Sequence, residues 1–196
     1  MSRVKEALGL LREEIDRWCR GRLWLVRLPL LAWFAYILVR SLADSEYTSL
    51  FSSLNLGIHE LGHFVFELLG EFIGMAGGTV AQCLAPIISV AMFYRQRDFF
   101  AIAVCFGWLS TNLFDVAIYA SDARAQSLQL LSPFGRPVQH DWHYLLGKLG
   151  LLSADTTIGF LLRAAATLSM LVCLVGGTWV LWLMFRPPAH DETPAC

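Results

Sequence analysis

Hydrophobic positions first recur at helical spacing and then merge into long runs. Between residues 3 and 20, Val4, Ala7, Leu8, Leu11, Ile15 and Trp18 share one stripe, while Lys5, Glu6, Arg12, Glu13, Asp16 and Arg17 fall largely elsewhere. This predicts an amphipathic helix, lying on a membrane surface or packed on a neighbour in the cytosol. Five apolar runs follow. Leu23–Val39 holds one charge, Arg27, and Tyr47–Leu69 is apolar except for His59, Glu60, His63 and Glu67. Phe72–Tyr94 carries no charge, Phe99–Tyr119 carries only Asp115, and Ala164–Phe185 carries none. Each is long enough to cross roughly 30 Å of hydrocarbon as a helix. Residues 120–163 form the one long polar stretch, with Asp122, Pro133, Gly135, Pro137 and the run His140-Asp141-Trp142-His143.

The expected fold is therefore an all-α, polytopic membrane bundle of about five membrane helices, with four to six allowed. Three parts are expected: a cytoplasmic amphipathic helix over 1–22, a membrane-embedded domain over 23–186 with its polar loop at 120–163, and a tail over 187–196. Arginine and lysine crowd the N-terminal flank while Asp44 and Glu46 follow the first run, which places the N-terminus in the cytoplasm. Five full crossings would put Arg95 and Arg97 on the opposite side, so one segment between Tyr47 and Tyr94 is expected to turn back. Gly70, Gly74 and Gly77-Gly78 permit such a turn.

Composition supports the membrane reading: 56% of the 196 residues are hydrophobic and only 16% charged, with mean hydropathy +0.54. A net charge of −1 supplies no basic field, which argues against nucleic acid as a partner. The five cysteines, Cys19, Cys83, Cys105, Cys173 and Cys196, are scattered and never spaced as C-x-x-C, so neither a disulfide framework nor thiolate-bound zinc is expected. The first apolar run follows too long a charged segment for a cleaved signal peptide, and the first span is expected to persist.

The chemistry lies in His59-Glu60-Leu61-Gly62-His63. On a helix, residues four apart face the same point, so two imidazoles can hold Zn²⁺ while Glu60 stands ready to take a proton from water. Such a triple arises by chance in under roughly 1 in 100 chains of this length. Each polar group in mid-span costs on the order of 2.5–3.5 kcal/mol, a cost that a bound ion would offset. A catalytic site needs a third protein ligand. The remaining histidines are His140, His143 and His190, the last in the Pro-rich tail. His140 is preferred as the third ligand because neutral imidazole suits zinc, with Asp122 and Asp141 as alternatives and Asp141 also a candidate for orienting a ligand. A bland alternative for the loop is an interfacial anchor, with Trp142 and Tyr144 part of an aromatic belt.

A His-Glu-x-x-His inside a membrane helix resembles the intramembrane zinc metalloproteases of the site-2 protease type. The resemblance is specific over Gly57–His63 and loose over 57–122; it implies His59 and His63 as zinc ligands and Glu60 as catalytic base. That family draws its third ligand from an Asn-x-x-Pro…Asp-Gly motif, and here Asn112-Leu113 followed by Asp122 is the nearest match, without the proline or the glycine after Asp and at longer spacing. The function expected is a zinc hydrolase acting on a membrane protein or peptide, with membrane lipid as its surroundings, in a plasma membrane of the bacterial inner-membrane kind. The alternative is a non-catalytic zinc-binding membrane protein or assembly factor. A di-iron desaturase would need more histidines than five, and a carboxylate-bridged di-iron site would need a second Glu-x-x-His. Paired histidines at this spacing are also not the usual arrangement for haem.

Overall fold

The computed structural model describes residues 2–128 and 139–186; the centre of the polar loop and the tail with His190 and Cys196 lie outside the described residues. Those described are helical, with no strand among them. Seven α-helices follow in order: α1 Ser2–Cys19, α2 Leu28–Ala43, α3 Phe51–Phe66, α4 Glu71–Arg95, α5 Phe99–Ser121, α6 Asp141–Lys148 and α7 Asp155–Phe185. Two short 3₁₀ turns, Glu67–Leu69 and Leu152–Ala154, precede α4 and α7. Three helices are long and apolar enough to cross a membrane: α4, α5, and α7 with the turn before it. The apolar helix α2 is shorter.

The spine is the antiparallel pair α5–α7. Small residues line its seam, Ala103, Gly107 and Ser110 on one side and Ala166, Ser169 and Cys173 on the other, letting the backbones approach closely. Two hydroxyls tie the helices reciprocally: Ser110 donates to the carbonyl of Ala166 at 2.7 Å, and Ser169 to that of Phe106 at 2.7 Å. Phe34 of α2 fills the space that Gly107 leaves, since a Cβ there would stand 2.8 Å from its ring. The helix α7 begins nine residues before the uncharged run that announces it, and so takes in Arg163. That guanidinium donates to the carbonyls of Ser41 and Ser45, absorbing the orphaned acceptors where α2 ends.

One end of the bundle collects the N-terminal helix, the α4–α5 turn and the last turns of α7. Glu14 pairs with Arg97 at 3.0 Å, Trp18 meets Phe99 edge-on, Cys19 Sγ donates to the carbonyl of Val180, and Trp24 meets Phe185. At the other end stand the C-terminus of α5, the short α6 and the start of α7, where Arg124 holds Asp155 at 2.8 Å.

The segment Tyr47–Leu69, read from sequence as a full-length apolar run, is shorter as a helix. Its helix α3 has 16 residues, and its first ring, Phe51, stacks on Phe34 at mid-height of the bundle. From there α3 runs antiparallel to α4, Gly62 lying against Gly77 and Glu67 against Gly74. Of the glycines expected to make a turn, Gly70 does so, with φ +106° between the 3₁₀ turn and α4. Gly74, Gly77 and Gly78 are instead interior to α4, buried on the face that receives α3. A Cβ at Gly77 would meet that of Phe66 at 2.5 Å, so the close approach requires glycine.

Candidate metal centre

His59, His63 and Asp141 converge at the end of the bundle away from the N-terminus. The histidines sit one turn apart on α3, as their spacing dictates. The carboxylate comes from the first residue of α6, 82 residues further along the chain than His59. His59 Nε2 is 2.9 Å from Asp141 Oδ2, His63 Nε2 is 3.1 Å from the same oxygen, and the two Nε2 atoms are 3.0 Å apart. His59 and Asp141 are buried; the His63 side chain retains 25% exposure, so the cluster opens on that side.

The proton inventory gives this triangle its meaning. His63 Nδ1 lies 2.8 Å from the carbonyl of Gly74, which can only accept, so His63 carries its proton on Nδ1. His59 Nδ1 lies 3.1 Å from Oε1 of Gln82 and likewise donates. With those protons on Nδ1, each imidazole in its neutral form presents a bare Nε2 lone pair to the other and to a carboxylate oxygen. Three acceptors 2.9–3.1 Å apart repel one another unless a cation lies among them. A single proton satisfies one pair and leaves the third atom unpaired. A metal ion satisfies all three. In a tetrahedral zinc site neighbouring ligand atoms stand about 3.3–3.4 Å apart, within a few tenths of an ångström of this triangle.

The floor of the site is Gly78, where a Cβ would lie 2.5 Å from His59 Nε2 and 2.6 Å from His63 Nε2. Gln82, one turn along α4, orients the first imidazole, and the Gly74 carbonyl, one turn the other way, orients the second. These are the outer contacts that fix tautomer and ring direction in metal-binding histidines. Gln82 belongs to no motif in the sequence. The signal for it was a lone amide inside the uncharged run Phe72–Tyr94.

Glu60 follows His59 on α3 and is half-buried, with no hydrogen-bond partner seen among the described residues. His140, preferred from sequence as the third ligand, lies outside the triangle. It caps α6, its Nδ1 accepting the backbone N–H of His143 at 3.2 Å. Its Nε2 is 3.5 Å from Asp122, and its ring packs on Tyr119 with centroids 4.3 Å apart. Burial lowers the His140 imidazole, with Asp122 opposing only in part, so it sits as a neutral cap. Asp122 also stands apart. Although burial works against its ionisation, it accepts from the hydroxyl and N–H of Ser127 and the N–H of Leu128, which hold it below the usual carboxylate range. Tyr119 joins the two groups: its hydroxyl accepts the backbone N–H of Asp141 at 3.1 Å, and its ring lies edge-on to His59.

A second buried polar group lies towards the start of α3. Asp115 accepts from Ser52 at 2.8 Å and from Asn55 Nδ2 at 2.7 Å, while the Trp108 indole donates to Asn55 Oδ1 at 3.0 Å. These bonds latch α3 to α5, and with one carboxylate the group holds no ligand set. No protein-family model matches this chain, and neither a curated protein nor a solved structure matches it.

Proposed function

We propose that this chain is a membrane-embedded zinc hydrolase, of metallopeptidase type, acting on a membrane protein or peptide. The observation that carries the reading is the convergence of two imidazole nitrogens and one carboxylate oxygen, 2.9–3.1 Å from one another, with the half-buried Glu60 next to His59 in the chain. His59, His63 and Asp141 would hold the ion, the two-histidine, one-carboxylate set that zinc accepts with a fourth position open. A bound zinc ion would supply Lewis acidity, polarising a carbonyl and acidifying water. Glu60, the neighbour of His59 in the chain, would accept the proton of an attacking water and return it to the leaving group. Gln82 and Gly74 keep both imidazoles aimed, and Tyr119 holds the N-terminus of α6 in place. The burial of His59 and Asp141 limits access of bulk water.

The charge pattern supports an orientation. Arg95, Arg97 and Arg186 belong to the same end as the arginine-rich N-terminal flank, and the positive-inside rule assigns that end to the cytoplasm. The metal centre then faces the opposite side of a plasma membrane, with α2, α4, α5 and α7 crossing and α3 entering from the far side only to mid-height.

The test is metal content followed by turnover. Purified wild-type protein should hold one zinc per chain, and His59→Ala or Asp141→Ala should hold none. Glu60→Gln should retain the metal while cleavage of a fluorogenic transmembrane peptide falls by on the order of 10²–10⁴. A wild-type protein without stoichiometric metal refutes the reading. Stoichiometric zinc with activity indifferent to Glu60 would instead favour a structural zinc site.

A further inference from the structure

The stripe of α1 is buried at one end and bare at the other. Ile15 is 7% exposed and Trp18 packs into the core, and Leu11 still touches it. Along the same line Val4 is 64% and Leu8 60% exposed. The uncovered half thus continues a surface already packed against the bundle. At about 100° per residue, Lys5 and Arg12 stand roughly 60° and 40° round the helix from Leu8, flanking the stripe on one side. Glu6 and Glu13 lie on the opposite face.

The end of the bundle that α1 joins is ringed by guanidinium–aromatic pairs. Arg22 lies 4.1 Å and Arg27 5.9 Å from the Trp18 ring, Arg97 lies 5.3 Å from Tyr94, and Arg186 lies 3.2 Å from Trp182. Amphipathic aromatic rings with arginines beside them suit the depth of lipid headgroups, where the ring meets the acyl boundary and the cation meets phosphate. The uncovered stripe of α1 belongs to a helix seated at this belt, with cations on its flank. A bilayer surface bearing negative charge matches both features: apolar side chains enter it and flanking cations meet its phosphates.

We propose that α1 is an interfacial helix whose Val4–Leu8 face is covered by anionic phospholipid at this end of the molecule. The proposal rests on the membrane reading of the bundle and is separate from the metal centre. The full chain, with Cys196→Ser, is placed in lipid nanodiscs and spin-labelled through Leu8→Cys or, on the opposite face, Glu6→Cys. The unsubstituted parent serves as the labelling background. In discs containing phosphatidylglycerol, the label at position 8 should collide preferentially with oxygen and the label at position 6 with a water-soluble nickel chelate. Discs of phosphatidylcholine alone, or Lys5→Glu with Arg12→Glu, should shift position 8 towards the chelate. Equal water exposure at both positions in the anionic discs overturns the proposal, as does a position-8 label indifferent to lipid charge. Dipolar broadening between labels in discs holding two chains would show that a second copy covers the stripe, and overturns it too. Resistance of the wild type to alkaline carbonate extraction separates these outcomes: a chain that extracts fails the membrane reading itself.

Discussion

The two helix seams of this bundle use small residues for opposite ends. Between α5 and α7, the room left by Gly107 is filled at once by Phe34 and Cys173, and hydroxyls of Ser110 and Ser169 close onto backbone carbonyls. Between α3 and α4, the room left by Gly78 is filled by the rims of two imidazoles. The first seam spends its glycine on packing. The second uses Gly62 and Gly77 for close approach and Gly78 for space around polar atoms whose burial a bound ion would offset.

Exchanging glycine for alanine in each seam separates the two roles. Gly78→Ala should have the largest effect, since its methyl would stand only 2.5–2.6 Å from both Nε2 atoms. Zinc occupancy after dialysis should fall to background, while circular dichroism of the helices stays near that of the wild type. If Gly78→Ala keeps full zinc, the floor of the site is elsewhere. Gln82→Leu keeps the shape but removes the acceptor of the His59 proton, and competition with a chromophoric chelator should show affinity weaker by about 10–100-fold. In the other seam, Gly107→Ala forces Phe34 or Cys173 aside and should cost about 1–3 kcal/mol of stability in detergent unfolding, with metal affinity unchanged. Loss of metal in that variant would mean that the seams are not independent. Ser169→Ala removes one interhelical hydroxyl and should cost least, about 0.6 kcal/mol by the same unfolding assay.

How much of this was legible in the sequence differs between the seams for the same reason. The apolar runs of α5 and α7 read directly as membrane-length helices, because length and hydropathy suffice. The histidine pair could be assigned to one helix face from spacing alone. What α4 does with its glycines could not be read, because a glycine that turns the chain, as Gly70 does, and one that admits a neighbour, as Gly78 does, look identical in sequence. Asp141 and His140 posed a related difficulty. They are adjacent, and which of the two faces α3 depends on where α6 begins. That start is set by a histidine cap contact and by the hydroxyl of Tyr119, both of which exist only once the chain has folded. Arg163 was legible as a boundary, and became interior only because the end of α2 offers it two carbonyls.

The separation of the three candidate ligands along the chain has a consequence for assembly. His59 and His63 are brought together by one turn of a single helix, but Asp141 arrives 82 residues after His59, after α4, α5 and the polar loop have been made. An ion shared by all three would fasten a long loop, and the entropy of closing such a loop grows only slowly with its length. The cost of recruiting α6 from so far away is therefore modest beside the free energy of coordination. In the proposed site, metal uptake would be the late event that reports the bundle complete, and a chain interrupted before Asp141 would carry the motif without the means to close it.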